Sequence, residues 1–470
     1  MAIKPDTQHS DYAAALPRWT KCRDAIEGED AVHKAGEQYL PRLKGQENDE
    51  YLAYVKRTPF YNATARTVDG LVGMLFRKDP SVEVPEAMSG VTSDMTLTGC
   101  DFNELAEIVA REVIGVGRLG LLVEYPSVDN STMTKAQAAA INLRPYVAQY
   151  KAESILNWRV ERINNAMQPT MITLMESVVV WDGEFESKQV AQVRALLLTE
   201  GKYLQRLYRK NAKDEWEQFG DDIVPLKRGQ PLSSIPFVIF GPAHNDMAVQ
   251  KPPVYDLVTL NLSHYRTTAD LEHGAHFTGL PTPVITGYRA GADEKFSIGS
   301  AIAWVFPEKE ADAKYLEFTG QGLDALEKRL QSKEAGMAAI GARMLAPEKK
   351  QAEAEGTVQL RHAGEGAVLG TIGDMIEQGF ARLLAIMAEW EGISGTIEVD
   401  FNDEFVDSVL DAPAVLALVK AWQSGAMSFD SLFWNLKQAN FIDEERTVAE
   451  ERDAIKNDGV PNAKKQPGAE

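Results

Sequence analysis

"IGVGRLGLLVEYP", residues 114–126, carries glycines at 115, 117 and 120, the spacing G-x-G-x-x-G. Between a strand and a helix, that spacing forms a turn that holds a dinucleotide pyrophosphate against a helix N-terminus. Here the flanks run the other way. Before it, "DFNELAEIVAREVIG" (101–115) offers Asp101 as an N-cap and sets Leu105, Ile108, Val109 and Val113 on one helical face. After it, "RLGLLVEYP" is an apolar run of strand length closed by Pro126. A helix C-terminus carries partial negative charge and repels phosphate. No acidic residue stands near 140 to hold a ribose, and Glu153 comes late. The order helix, glycines, strand predicts a helix stop with Gly115 or Gly117 left-handed. The competing reading is a cofactor- or nucleotide-dependent enzyme built on the Gly115–Gly120 turn.

The chain has 470 residues, enough for two to four structural regions and for a large core without disulfides or metals. Its two cysteines, Cys22 and Cys100, lack paired-motif spacing, which points to a reducing compartment and away from a zinc site. The N-terminus has no long apolar run, and no window approaches the roughly 20 apolar residues of a membrane span, so a soluble intracellular protein is expected. On that expectation the N-x-Ser/Thr triplets at Asn62, Asn130 and Asn261 are chance matches. The formal net charge is −20, from 69 acidic and 49 basic residues. Such a surface repels nucleic acid at long range and argues against a conventional DNA-binding module. A protein that surrounds DNA without gripping it is not excluded.

Along the chain the pattern is mixed. "YAAALPRWTKCRDAI" and "NDEYLAYVKRTPFYNATARTVDGLVGMLF" read as helical, the second run stopping at Asp79-Pro80, and "SVEVP" alternates like a short strand. Residues 127–145 are polar and alanine-rich, and about 146–250 reads as a mainly β insert with turns at Asp182-Gly183 and Gly220-Asp221. Prolines at 252 and 253 open a helix of about 23 residues. "LPTPVITGY" and "IGSAIAWVFP" return to strand character. In "GQGLDALEKRLQSKEAGMAAIGARML", Leu323, Leu326, Leu330, Met337, Ile340 and Met344 form an amphipathic stripe, with Gly336 and Gly341 as possible bend points. The charged stretch 346–357 reads as an exposed loop. Another helix presents Ile372, Met375, Ile376, Phe380, Leu383, Leu384, Met387 and Trp390 on one face, "GTIEVDF" is a short strand, and helices complete the chain.

Searching for chemistry yields little. Of seven histidines only His273 and His276 are close, and two ligands without a third make a weak metal site. There is no nucleophile elbow and no phosphate-binding P-loop, and "DFNDEF" (400–405) lacks the calcium-loop spacing. No catalytic residue, metal or cofactor is expected. Small basic groups occur at Arg206, Arg209 and Lys210, at Lys227 and Arg228, and at Lys349 and Lys350. The last pair lies between two long amphipathic helices, where a loop can project from a rigid scaffold.

"YLPRLKGQ" (39–46), "YLAYVKRTPFYNATARTVDGLVGMLFRKDP" (51–80), "SILNWRVERI" (154–163) and "YLEFTGQGLDALEKRLQSKEAGMAAIGARML" (315–345) resemble one family of portal proteins of tailed double-stranded DNA bacteriophages. The similarity covers roughly 35–450. It implies an α+β, mainly helical portal fold with wing, stem, β-rich clip and helical crown, assembled as a ring, usually a dodecamer, at one capsid vertex. By the resemblance, residues 1–150 form an N-terminal wing region, 151–252 the stem/clip region, 253–279 a stem helix and 280–320 wing strands. Residues 321–356 then form the channel helix and tunnel loop, 357–411 a wing helix and strand, and 412–470 the crown and a flexible tail. Glu348, Lys349, Lys350, Gln351 and Glu353 become the candidates nearest DNA that slides through without sequence-specific binding. The implied partners are the terminase large subunit that pumps the DNA, head-completion, adaptor and tail proteins, and capsid and scaffolding proteins. The implied location is the virion, after assembly in the host cytoplasm. Twelve copies at −20 would sum to roughly −240, an acidic wall that repels phosphates.

Overall fold

The computed structural model describes residues 4–126, 137, 141–278, 282–286, 312–316, 321–344, 368–401, 412–438, 442 and 446–458. The fold is α+β, and the chain divides into two compact units, Met1–Asp403 and Glu404–Glu470.

In the first unit, helices α1 (Ser10–Glu27), α2 (Glu29–Ala35), α3 (Asn48–Arg57) and α4 (Ala63–Leu75) precede strand β1 (Ser81–Glu83) and a single turn, α5 (Ser89–Thr92). The run 48–76, read above as one helical stretch, is broken. Thr58 is extended and Pro59 can neither donate a hydrogen bond nor let its predecessor stay helical, so α3 stops at Arg57. A fresh cap starts α4, where the Asn62 side chain accepts from the Ala65 N–H at 2.9 Å.

Helix α6 (Phe102–Gly115) begins as expected, Asp101 accepting from the Glu104 N–H at 2.8 Å. It leads into β2 (Leu119–Glu124), and β3 (Tyr146–Lys151) follows. Strands β4 (Ile155–Ile163), β5 (Ala166–Asp182), β6 (Glu186–Thr199), β7 (Lys202–Lys210) and β8 (Trp216–Gln218) form an antiparallel meander in chain order. A small hairpin, β9 (Leu226–Lys227) with β10 (Gln230–Pro231), precedes β11 (Phe237–Phe240), which returns to pair with β2 in the sheet β11–β2–β3.

The remainder of the unit comprises helix α7 (Tyr255–Thr278), the pair β12 (Thr282–Thr286) and β13 (Asp312–Leu316), helices α8 (Gln321–Arg343) and α9 (Val368–Glu391), and β14 (Glu398–Asp400). Strand β13 carries no clear strand signal in the sequence, whereas the expected strand at 298–307 lies outside the described residues. The two short strands "SVEVP" and "GTIEVDF" pair with each other, Val82 opposite Val399.

Two apolar clusters organise the unit. One joins Trp19 and Tyr12 of α1 to Trp158, Ile172, Leu174, Val193 and Leu196 of the large sheet and Phe237 of the small one. The other centres on α9, where Phe380 meets the rings of Phe102 at 5.0 Å and Phe240 at 5.2 Å. Ile372, Ile376, Leu383, Leu384 and Met387 of the same helix are fully buried. Burying side chains of this size contributes about 1.5–3 kcal/mol each before entropy is counted.

The second unit holds helices α10 (Ala412–Gln423), α11 (Phe429–Gln438) and α12 (Val448–Asp458). Phe429 joins them: its ring lies 6.0 Å from Trp422 and 5.2 Å below the Arg452 guanidinium, which also pairs with Asp430. Thr447 and Glu450 form a reciprocal cap at the start of α12.

Candidate functional site

The glycine motif is buried and structural. The Val116 and Gly117 N–H groups both donate to the Glu112 carbonyl, the pattern of a left-handed helix stop, and Gly117 has φ +84. A Cβ at Gly117 would sit 3.1 Å from the Pro252 Cα, one at Gly115 would press on Ile26, and one at Gly120 would enter the Phe237 ring. The motif's cation also turns inward. Arg118 is buried, lies 4.5 Å over the Trp158 ring and donates to the Met247 carbonyl at 3.0 Å. Burial pulls its pKa down to about 10. The chain's own groups fill the space that a pyrophosphate would need.

The large sheet ends in a ribbon. Strand β4 accompanies β5 only to Leu174 and β7 accompanies β6 only to Gln192, yet β5 and β6 stay paired to Asp182 and Glu186. Residues 177–182 and 186–191 therefore continue as two strands for about 20 Å. Near the tip, Phe185 is 86% exposed, Trp181 65% and Val179 51%, beside the carboxylates of Asp182, Glu184 and Glu186.

At the ribbon's base is a polar network in a largely apolar setting. Arg194 donates to Glu176 at 2.6 Å and to Glu124 at 3.0 Å, binding the two sheets together. The Tyr150 hydroxyl donates to Glu176 at 2.6 Å, and the Gln192 and Gln205 amides donate to Glu176 and Glu124. Sequence reasoning did not single these residues out. The available signal was a charge inside an apolar strand, Arg194 in "VAQVRALLLT" and Glu176 in "TLMESVVV".

Arg194, Glu124 and Gln205 of this network form part of the lining of a groove of about 1030 Å³. Its walls include Tyr125, Ile223, Val224, Leu226 and Trp390, with Arg144, Arg228 and Glu391 also lining it. Tyr125 and Trp390 stack at 5.9 Å. Ile223, Val224 and Leu226 are 37%, 42% and 53% exposed, an apolar rim open to solvent. Burial raises the pKa of Glu391, opposed by Arg144.

Helices α7 and α8 run antiparallel. Gly274 faces Leu323, Lys333 donates to the Ser263 carbonyl at 2.8 Å and to Thr267, and Gly336 faces Leu260. The expected stripe is the packed face: Leu330, Met337 and Met344 are buried, and Leu323, Leu326 and Ile340 half-buried. The opposite face, including Asp324, Glu327, Lys328, Arg329 and Gln331, is exposed, while Glu334 at its edge pairs with His264 of α7 at 3.2 Å. Gly336 and Gly341 are points of close approach within a continuous helix, the second facing Thr67 of α4. Asn261, from one of the N-x-Ser/Thr triplets, is fully buried, accepting from Thr64 and donating to the Tyr61 carbonyl. Glu348, Lys349, Lys350, Gln351 and Glu353 lie outside the described residues, as does Asn130.

The other basic groups are mostly engaged internally: Arg206 with Asp222, Arg209 with Gln192 and the Phe219 ring, Lys210 with Asp214 and Lys227 with Glu389. Near the His pair, His273 packs edge-on against Tyr54 at 5.2 Å. Among the described residues no three His, Cys, Asp or Glu side chains are grouped to hold a metal, and no helix is long and apolar enough to cross a membrane.

Residues 253–391, from just before α7 to the end of α9, match a family model described as a domain of unknown function, DUF4055. No curated protein matches the chain. Among solved structures, it is similar to a chain from the virion of a native gene transfer agent particle at 12% identity, with a TM-score of 0.36, covering 86% of this chain and 96% of that one. Another similar chain belongs to the neck of a native particle computed with C12 symmetry, at 12% identity and a TM-score of 0.33, covering 88% of this chain and 99% of that one. A third is from the neck of an empty particle computed with C6 symmetry, at 11% identity and a TM-score of 0.36, covering 86% and 97%.

Proposed function

We propose that the chain is one subunit of a portal-type ring at a virion's head–tail vertex, a channel through which genomic DNA is packaged by a separate terminase and later released. The observation that carries this reading is helix α8. One face packs along α7, the other is exposed, polar from Asp324 to Ser332 and alanine-lined from Ala335 to Ala342, and the helix leads on to the charged stretch 346–356. That arrangement suits a rigid arm presenting a loop to a channel, and it belongs to one of the blocks that resemble phage portals.

On this reading α7 is the stem helix, the β-rich region 151–252 contributes the clip, 280–320 and 357–411 complete the wing begun by 1–150, and 412–470 forms the crown. Glu348, Lys349, Lys350, Gln351 and Glu353 line the narrowest part of the channel. Lys349 and Lys350 touch phosphates within an otherwise acidic wall, and Gly336 and Gly341 are the positions at which the continuous helix α8 can bend when the ring assembles. The ring holds about twelve copies, and head-completion, tail, capsid and scaffolding proteins attach around it. On this reading the chain contributes no catalysis of its own, and the ring closes through heterologous contacts between packed faces. Negative-stain imaging and native mass spectrometry of the purified protein test the reading. Closed rings with an axial opening are expected, and a monomer at every concentration and salt would overturn it.

A further inference from the structure

The exposed aromatic tip of the β5–β6 ribbon and the groove at its base lie on one chain but are out of reach of each other. From Arg194 in the groove lining to Phe185 at the tip the strand advances about 30 Å. A tip that meets a groove of this kind must therefore meet one on another copy. We propose that the ribbon tip of one copy, Trp181 to Glu186, seats in the groove lined by Tyr125, Leu226 and Trp390 of the next. This deepens the ring reading above and rests on it.

Three features support the second copy as the occupant. The first is charge. Of the three arginines lining this groove, Arg144 pairs with Asp94 and Arg194 with Glu124 and Glu176, which leaves Arg228 to meet an incoming anion. The tip offers the opposite sign through Asp182, Glu184 and Glu186, with Lys188 paired to Asp182. Arg228, exposed at the groove and donating to the Gly392 carbonyl, stands where such a carboxylate would arrive. The second is size and polarity: a groove of about 1030 Å³ with an apolar rim has room for both Phe185 and Trp181. The third is symmetry: tip and groove are different surfaces of one molecule, so each copy offers both halves and the contact repeats head to tail, closing when the rotation permits.

The test uses two single-cysteine variants of the full chain, F185C and V224C, each in a C100S background and one carrying a mass tag. The two are mixed and mildly oxidised. A disulfide joining the tagged to the untagged chain is expected, together with loss of the ring species by native mass spectrometry in W181D/F185D at an unchanged melting temperature. Wild-type rings with no mixed disulfide, and rings undiminished in W181D/F185D, would overturn the tip contact and leave the ring reading standing. A wild-type protein that never forms rings would remove the ring reading and this contact with it. Protection of V224C from a bulky maleimide in the monomer would show the groove closed within a single chain and overturn the proposal.

Discussion

The ring of Phe237 on β11 lies across Gly120 on β2, occupying the space that any side chain at 120 would take. Two strands of one sheet thus approach at a point where one side chain must be absent so that another can be large. Gly120→Ala should cost about 1–3 kcal/mol, the usual range for overpacking a filled core. Gly70 supplies the contrast, being exposed in α4 with open space where its Cβ would go. Gly70→Ala should stabilise by about 0.5–1 kcal/mol through helix propensity. Urea unfolding of both variants beside the wild type checks the pair, and equal effects would remove the steric account.

Removing the cation of the inter-sheet network should be more damaging than removing an anion. Arg194 faces two carboxylates, Glu124 and Glu176, all three side chains less than a fifth exposed. Arg194→Met leaves both charges uncompensated, for which about 3–5 kcal/mol is the typical loss. Adding Glu176→Gln to that variant should restore part of it, which a double-mutant cycle in urea would measure.

The thiols should be quiet in the native protein. Burial pushes the pKa of Cys22 up to about 12, and burial with the neighbouring carboxylates of Glu104, Asp101 and Asp94 pushes that of Cys100 up to about 11. Since the thiolate is the reactive form, labelling by a thiol reagent at pH 8 should be far slower than for a free cysteine. Both should react at once in denaturant. Rapid native labelling of Cys22 would contradict its packing.

Glu391 gives a pH signature. Burial raises its folded pKa above the ordinary carboxyl value. Between the two values the native state holds more proton than the unfolded state, so this carboxyl's contribution falls as pH rises through the folded pKa. Glu391→Gln should therefore match the wild type in acid and gain stability relative to it as pH increases toward neutrality. Denaturation midpoints taken across that range would reveal the crossover, and a constant difference would refute it.

Long periodic segments were the most legible. The stripe Leu323–Met344 is the packed face of α8, and the face from Ile372 to Trp390 is the core of α9, because a 3.6-residue rhythm needs no knowledge of the partner. The helix-to-strand order around 114–126 likewise predicted a glycine stop, which Gly117 provides. The break at Thr58-Pro59 was hidden by apolar residues that keep helical spacing across it, although the proline itself was visible. Strand β13, "DAKYL", depends on its partner β12 and lacks an alternating pattern of its own. The ribbon tip and the groove were invisible for another reason. Each is assembled from residues distant in the chain, and exposure is a property of the fold rather than of a residue type.

The ladder between β1 and β14 has a consequence for the making of the protein. Val82 leaves the ribosome early, but its partner Val399 follows about 315 residues later, roughly 15–60 s at ordinary elongation rates. Throughout that interval β1 has no mate, and α9, which packs on its partner β14, is equally late. The large meander, whose neighbours are joined by short turns, can complete itself meanwhile. The first unit is therefore expected to fold from its middle outward, and a nascent chain stalled before residue 398 should expose β1 to chaperones and proteases.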